Sequence, residues 1–143
     1  MKEFHIKGYT ISTDKKKLDP ILIHSYLKKS YWAENISFDI VKKSIKKSMC
    51  FGVYFHNDQA GFARLVTDNA TFAYLADVFI LESHRGKGLS KWLMQEIMNH
   101  EELQGLRGWM LATKDAHGLY EKFGFTELKT PERIMQYKPL EKY

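Results

Sequence analysis

Cysteine is all but absent from this chain: Cys50 is the only one, so no internal disulfide can form. Beside Phe51 at the start of an apolar run, it reads as a buried structural thiol rather than a nucleophile. The first twelve residues, Met1 to Ser12, lack the apolar core of a signal peptide. No run approaches the roughly 18 apolar residues of a membrane span. A cytoplasmic location away from membranes is therefore the expectation. The six histidines form no His-x-His or Glu-x-x-His cluster, so no metal site is expected. Linkers, repeats and low-complexity segments are missing as well. With 143 residues and 44% apolar content, one domain over residues 1–143 with a sizeable core is expected.

Arginine is also scarce, and the formal charge of +5 comes from lysine. Residues 1–50 hold eleven lysines against five acids, whereas residues 51–143 hold eleven basic residues against twelve acids. The excess lies in Lys15-Lys16-Lys17, Lys28-Lys29, Lys42-Lys43 and Lys46-Lys47. Such doublets suit nucleic acid, an acidic substrate or an anionic surface, but they equally suit the solvated faces of helices. A nucleic-acid-binding domain would need a helix-turn-helix, zinc or aromatic-stacking signature, and the chain has none.

What the chain does have is centred on the run from Asp77 through Leu81 to His84-Arg85-Gly86-Lys87-Gly88-Leu89-Ser90. The apolar residues from Thr71 to Leu81 are rich in β-branched and aromatic types, and Leu89, Leu93 and Ile97 then recur at helical spacing. Strand, loop and helix follow in that order. At a helix start the first backbone N–H groups lack partners and carry the positive end of the helix dipole, which favours an anion. Arg85 and Lys87 add cations. Gly86 and Gly88 permit positive φ and close approach of a pyrophosphate to the backbone.

Some thirty residues downstream lies Leu119-Tyr120-Glu121-Lys122-Phe123-Gly124-Phe125. Together the two elements resemble the GCN5-related N-acetyltransferase family. Its acetyl-CoA loop, Arg/Gln-x-x-Gly-x-Gly/Ala, is matched by Arg85, Gly88 and Ser90, with Ser90 standing where Gly or Ala is usual. The resemblance implies acetyl-CoA as co-substrate, held by residues 85–90, with Val78, Phe79 and Ile80 offering backbone groups to the pantetheine arm. It places Tyr120 beside the thioester sulfur, and it puts Thr113 where many members have asparagine. Tyr31 and Trp32 fall where the family has its acceptor-binding loop; the residues themselves fit an amine pocket or sheet-edge packing equally. Arg64, alone in its strand, fits an acidic acceptor or a salt bridge. The acceptor itself stays open among small polyamine, amino acid, aminoglycoside, arylalkylamine and protein terminus, with a small-molecule amine favoured, and a homodimer stays open.

The order of elements supports that resemblance. Phe4 to Thr13 reads as a strand, and Asp19-Pro20 as N-cap and first position of a helix to about Lys29 with Ile21, Leu22 and Tyr26 inward. Ser37 caps a second helix to about Ser48, with a Val41, Ile45, Met49 stripe. Cys50–Phe55, Ala60–Thr67 and Thr71–Leu81 form an antiparallel meander whose third strand, apolar on both faces, should be central. After the loop helix, which ends near Asn99, come a strand Gly108–Thr113, a helix Lys114–Phe123 and strands at Gly124–Leu128 and Ile134–Lys138. The fold class is mixed α/β, ordered β-α-α-β-β-β-α-β-α-β-β, with a twisted, mostly antiparallel sheet flanked by helices.

Amine acetylation poses two proton problems. A lysine-like amine has pKa about 10.4, so freeing its lone pair at neutral pH costs roughly 4–5 kcal/mol. A leaving thiolate with pKa about 8.5 gains from a proton donor, and the Tyr120 phenol at about 10 can supply one. The base is less legible. Asp77 is the single charge in the run from Thr71 to Leu81, which suits pairing, orientation or base chemistry; some members of the resembled family carry a glutamate just before it, where this chain has Ala76. His117, three residues before Tyr120, reads as an ordinary helix residue.

Overall fold

The computed structural model describes residues 6–143. Its sheet has five strands in the order β1-β2-β3-β4-β5: Tyr9–Ser12, Met49–Phe55, Asp58–Thr67, Phe72–Ile80 and Gly108–Leu111. The first four pair antiparallel and β5 runs parallel to β4. The expected first strand, Phe4–Thr13, begins outside the described residues, and of its described part only Tyr9–Ser12 is strand, with Lys7 and Gly8 in a turn before it.

Helices α1 (Pro20–Leu27) and α2 (Phe38–Lys47) cover one face of the sheet. Asp19 accepts from the Leu22 N–H and Ser37 from the Ile40 N–H, so both helices start where their caps predict. Ile23, Leu27, Val41 and Ile45 pack there on Cys50, Phe62 and Phe79. Helix α3 (Leu89–Asn99) covers the other face, with Trp92, Leu93, Met94 and Ile97 against Phe51, Val53, Ala63 and Leu65. Alternation along β2 and β3 divides the residues between these two layers.

Several expected details differ. In α1 the inward residues are Ile23 and Leu27; Leu22 and Tyr26 are half-buried, and Ile21 is 72% exposed. The Asp19 cap sets the phase of the helix, which turns Ile21 off the core and onto the wall of a cleft. The α2 stripe stops at Ile45, because Ser48 is extended and Met49 already belongs to β2. The middle strand is β3, not β4, since β1 and β5 add one strand at each side of the meander.

The two last strands do not form: no described residue after Leu111 is in a strand. A strand needs a neighbouring ladder, and the backbone bonds beyond Phe123 are local turns, such as Phe125 N–H to Tyr120 O and Arg133 N–H to Thr130 O. Helix α4 is also shorter than expected, at His117–Glu121. Before it, Thr113 Oγ1 accepts from the Ala116 N–H in a turn, and after it Gly124 takes φ 94°.

Candidate active site

The cleft arises where β4 parts from β5. Their pairing runs only from Phe72 with Gly108 to Leu75 with Leu111, so the β4 backbone from Ala76 to Ile80 has no strand partner on that side among the described residues. At the same point β4 bulges: Phe62 faces Phe79 and Arg64 faces Ala76, leaving Asp77 and Val78 opposite Ala63. Asp77 sits in the left-handed region, φ 53°. The extra residue reverses the alternation, so Ala73 and Leu75 belong to the α3 layer whereas Phe79 belongs to the α1/α2 layer. It also turns the Asp77 side chain to the same side as Arg64.

There Asp77 is fully engaged. Arg64 Nε donates to Oδ2 at 2.8 Å and Trp32 Nε1 donates to Oδ1 at 2.8 Å. Arg64 Nη1 donates also to Ser48 Oγ at 3.1 Å. The carboxylate thus carries an ion pair and an indole bond, which suits an orienting group better than a free base. The Trp32 ring meets Tyr31 edge-on, with centroids 5.1 Å apart. Tyr31 Oη in turn accepts from the Lys114 N–H at 3.0 Å, tying the α1–α2 loop to the segment after β5.

At the far end of β4, Gly86 and Gly88 take φ 81° and 84°. A Cβ on Gly86 would meet nothing within 4 Å, so its glycine is needed for conformation rather than room. Gly88 is the N-cap of α3, and no side chain caps that first turn. Arg85 turns away from the loop: its Nε donates to Ile80 O and its Nη2 to Tyr26 Oη, each at 2.9 Å. Tyr26 stacks on Phe79 with centroids 4.0 Å apart. Arg85 still borders the loop's hollow, together with His84, Lys91 and Lys122.

Tyr120 lies on α4, 8% exposed, its ring edge-on to Phe125. Burial, with smaller contributions from Tyr31 and Asp115, holds its phenol above the ordinary tyrosine range. It lines a cleft of about 1470 Å³, together with Tyr31, Trp32, Asp77 and the freed segment of β4. An open strand edge, an uncapped helix start and a buried phenol thus border one continuous cleft region.

Residues 46–127 match the model of the GNAT acetyltransferase domain. The chain belongs to the GNAT acetyltransferase family. A Gibberella zeae protein named as an acetyltransferase is 34% identical over 137 residues, 80% of this chain and 76% of that one. A GNAT-family crystal structure from Xanthomonas campestris pv. campestris superposes with TM-score 0.91 at 46% identity, covering 94% of this chain and 95% of that one. The fold is shared more distantly by a GNAT-family acetyltransferase from Elizabethkingia anophelis with acetyl-CoA bound, TM-score 0.63 at 13% identity, covering 85% of this chain and 78% of that one. The protein is an N-acetyltransferase, and acetyl-CoA is the donor its family uses.

Of the residues singled out in the acetyltransferase sequence, the fold brings Tyr31, Trp32, Arg64, Asp77, Thr113 and Tyr120 to one cleft, with the loop at its end. Thr113 spends its hydroxyl on the Ala116 turn. Lys87 stands apart from the residues lining the loop's hollow. Tyr26, Lys91 and Lys122 escaped the sequence reading. Lys122 is inside the Tyr120 motif, so its place beside the loop was latent there; Tyr26 reads as a core residue until α1 is phased. Among the described residues, no group of three or more His, Cys, Asp or Glu is placed to hold a metal, and no helix is long and apolar enough to cross a membrane.

Proposed function

We propose that this chain acetylates a small-molecule amine by direct attack on acetyl-CoA in a ternary complex. The observation that carries the reading is the parting of β4 from β5 at Leu75, with Tyr120 in the gap and the Gly88 helix start at its end. The pyrophosphate sits on the backbone of Gly86, Lys87, Gly88, Leu89 and Ser90, and the pantetheine arm runs along the open edge of Val78, Phe79 and Ile80. Arg85 acts through its backbone and by anchoring Tyr26.

The acceptor enters between Tyr31 and Trp32, where a site walled by side chains suits a small amine. Its nitrogen attacks the thioester carbonyl; the C–N bond forms, the C–S bond breaks and the sulfur leaves with the electron pair. Tyr120 delivers a proton to that sulfur, the ammonium formed on attack loses one to the medium, and the Tyr120 phenolate takes one back from the medium. Because both Asp77 oxygens are engaged by Arg64 and Trp32, Asp77 orients the acceptor loop instead of taking the proton. The amine then has to arrive neutral, so turnover rises with pH toward the pKa of the acceptor. Holding both reactants in one cleft supplies much of the rate.

An amine-library screen that follows free thiol released from acetyl-CoA tests the reading. A turned-over primary amine with intersecting double-reciprocal plots supports it. Parallel plots, the mark of an acetylated enzyme, would replace direct attack, and tight acetyl-CoA binding without any turnover would make the chain an idle acyl-CoA module.

A further inference from the structure

The large apolar side chains that α1, α2 and their connecting loop leave exposed gather in one place. Ile21 is 72% exposed, Tyr31 53%, Ile40 44% and Trp32 40%, and all four line the cleft that holds Tyr120. Apolar surface kept wet inside a concave site is surface that a ligand can cover. The two aromatic residues are open only on their rings, because their polar ends are spent within the protein. The Trp32 indole N–H goes to Asp77 Oδ1, and Tyr31 Oη is taken by the Lys114 N–H. Tyr26, its ring 6.4 Å from that of Trp32 and stacked on Phe79, continues the aromatic row inward. Rings fixed in advance bind another flat apolar group at little ordering cost.

The charges on the same lining narrow the choice of ligand. There are four cations, Lys29, Arg64, Arg85 and Lys114, and three carboxylates, Asp19, Asp77 and Asp115. Asp19 caps α1, and Asp77 holds Arg64 and Trp32. Asp115 is the remaining carboxylate, without a hydrogen bond or ion pair among the described residues, and it stands near enough to Tyr120 to act on its phenol. One free carboxylate suits one ammonium. Each further ammonium of a polyamine would face apolar rings or one of the four cations, and would stay unpaired. A carboxylate beside the amine, as in an amino acid, would meet Asp115 itself. A sugar would lay hydroxyls on rings and isoleucines that offer them no partner.

Resting on the ternary-complex acetylation proposed above, we propose that the acceptor is an arylalkyl monoamine. Its aromatic body lies on the wall of Ile21, Tyr31, Trp32 and Ile40, and Asp115 draws its ammonium to the cleft before the proton is lost to the medium.

Rates of free-thiol release at saturating acetyl-CoA test the assignment with 2-phenylethylamine, tryptamine, propylamine, spermidine, glucosamine and phenylalanine. For the two arylalkylamines kcat/KM should exceed that of each other amine by at least about tenfold. Ile21→Asp puts a charge on the wall in the first turn of α1, where a carboxylate is tolerated and the side chain supports no core. It should raise KM for 2-phenylethylamine at least about fivefold while kcat and acetyl-CoA affinity stay within about twofold. Asp115→Asn should raise the same KM severalfold at low salt and much less at high salt. A kcat/KM for propylamine, spermidine, glucosamine or phenylalanine that equals or exceeds those of the arylalkylamines overturns the assignment and leaves acetyl transfer standing. So does a KM indifferent to both substitutions. Turnover of none of the six overturns it too, and the wider amine screen then decides acetyl transfer itself.

Discussion

Trp32 Nε1 donates to Asp77 Oδ1 over 2.8 Å and so bolts the loop between α1 and α2 to the bulge of β4. The same carboxylate holds Arg64 at 2.8 Å. The α1–α2 loop, the bulge and β3 therefore meet in one partly buried network, and disturbing any member disturbs the others.

Removing one charge of that network should cost more than removing both. Arg64→Met or Asp77→Asn alone leaves the other partner short of its bonds, at about 1–3 kcal/mol by urea denaturation. The double variant should lose less than the two single losses added together. Strict additivity would mean that the pair carries no coupling.

Tyr120→Phe keeps the ring in the α4 packing and removes only the proton. An interaction developed mainly in the transition state should lower kcat while leaving acetyl-CoA affinity and stability nearly unchanged. With an accepted amine, single-turnover rates at neutral pH should fall by at least about tenfold, the low end for a general acid because a thiolate already leaves fairly well. Because burial raises this phenol, the donor stays protonated across the neutral range and the rate should show no loss from Tyr120 until well into alkaline pH.

Gly88→Val places a β-branched residue at φ 84° in the N-cap of α3. Strain of about 1–3 kcal/mol should reshape the turn and weaken acetyl-CoA binding by at least tenfold in calorimetry. Lys122→Gln, at the rim of the same hollow, should weaken it severalfold and more so at low salt. Charge reversal at Lys42 and Lys46, on α2, should leave it untouched; a large loss there would move the phosphate site.

Tyr54 Oη is buried without a hydrogen-bond partner among the described residues, and its ring lies over Gly52, where an added Cβ would collide with the phenol oxygen. Tyr54→Phe should therefore be neutral or stabilise by about 1 kcal/mol, since the orphaned hydroxyl is lost and the ring retained. Gly52→Ala should destabilise the wild type and be partly rescued in the Tyr54→Phe background.

Stability should fall at alkaline pH. Burial pushes the Cys50 thiol up from 9.0 to about 11 and the Tyr54 phenol up from 10.0 to about 12. A raised folded-state pKa contributes stability in full below the unfolded value, and that contribution is lost as pH rises through the folded one. The denaturation midpoint should therefore drop between about pH 9 and 12, less steeply in Cys50→Ala with Tyr54→Phe. At pH 8 Cys50 should resist thiol reagents until the protein unfolds.

The amino-acid sequence was enough for whatever rests on neighbours along the chain. Asp19 and Ser37 cap the helices they were expected to cap, because a cap is a bond across three residues. Gly86 and Gly88 adopt the positive φ their residue type allows, just before an amphipathic helix. Tyr120 falls on a helix as its surroundings predict, and Cys50 is buried as its apolar neighbours suggest, at 2% exposed.

The tertiary structure decided what depends on pairing between distant segments. No local rule places a bulge at Asp77, and without it neither the reversed alternation that buries Phe79 under α1 nor the meeting of Asp77 with Arg64 and Trp32 follows. Arg85 reads as a phosphate ligand from its loop, but folding brings Tyr26, fifty-nine positions away, within 2.9 Å of its guanidinium. The residues Gly124–Leu128 and Ile134–Lys138 have the composition of strands and form none, since a strand exists only when another backbone completes its hydrogen bonds. Which backbone lies within reach is a property of the assembled fold, and no window of sequence contains it.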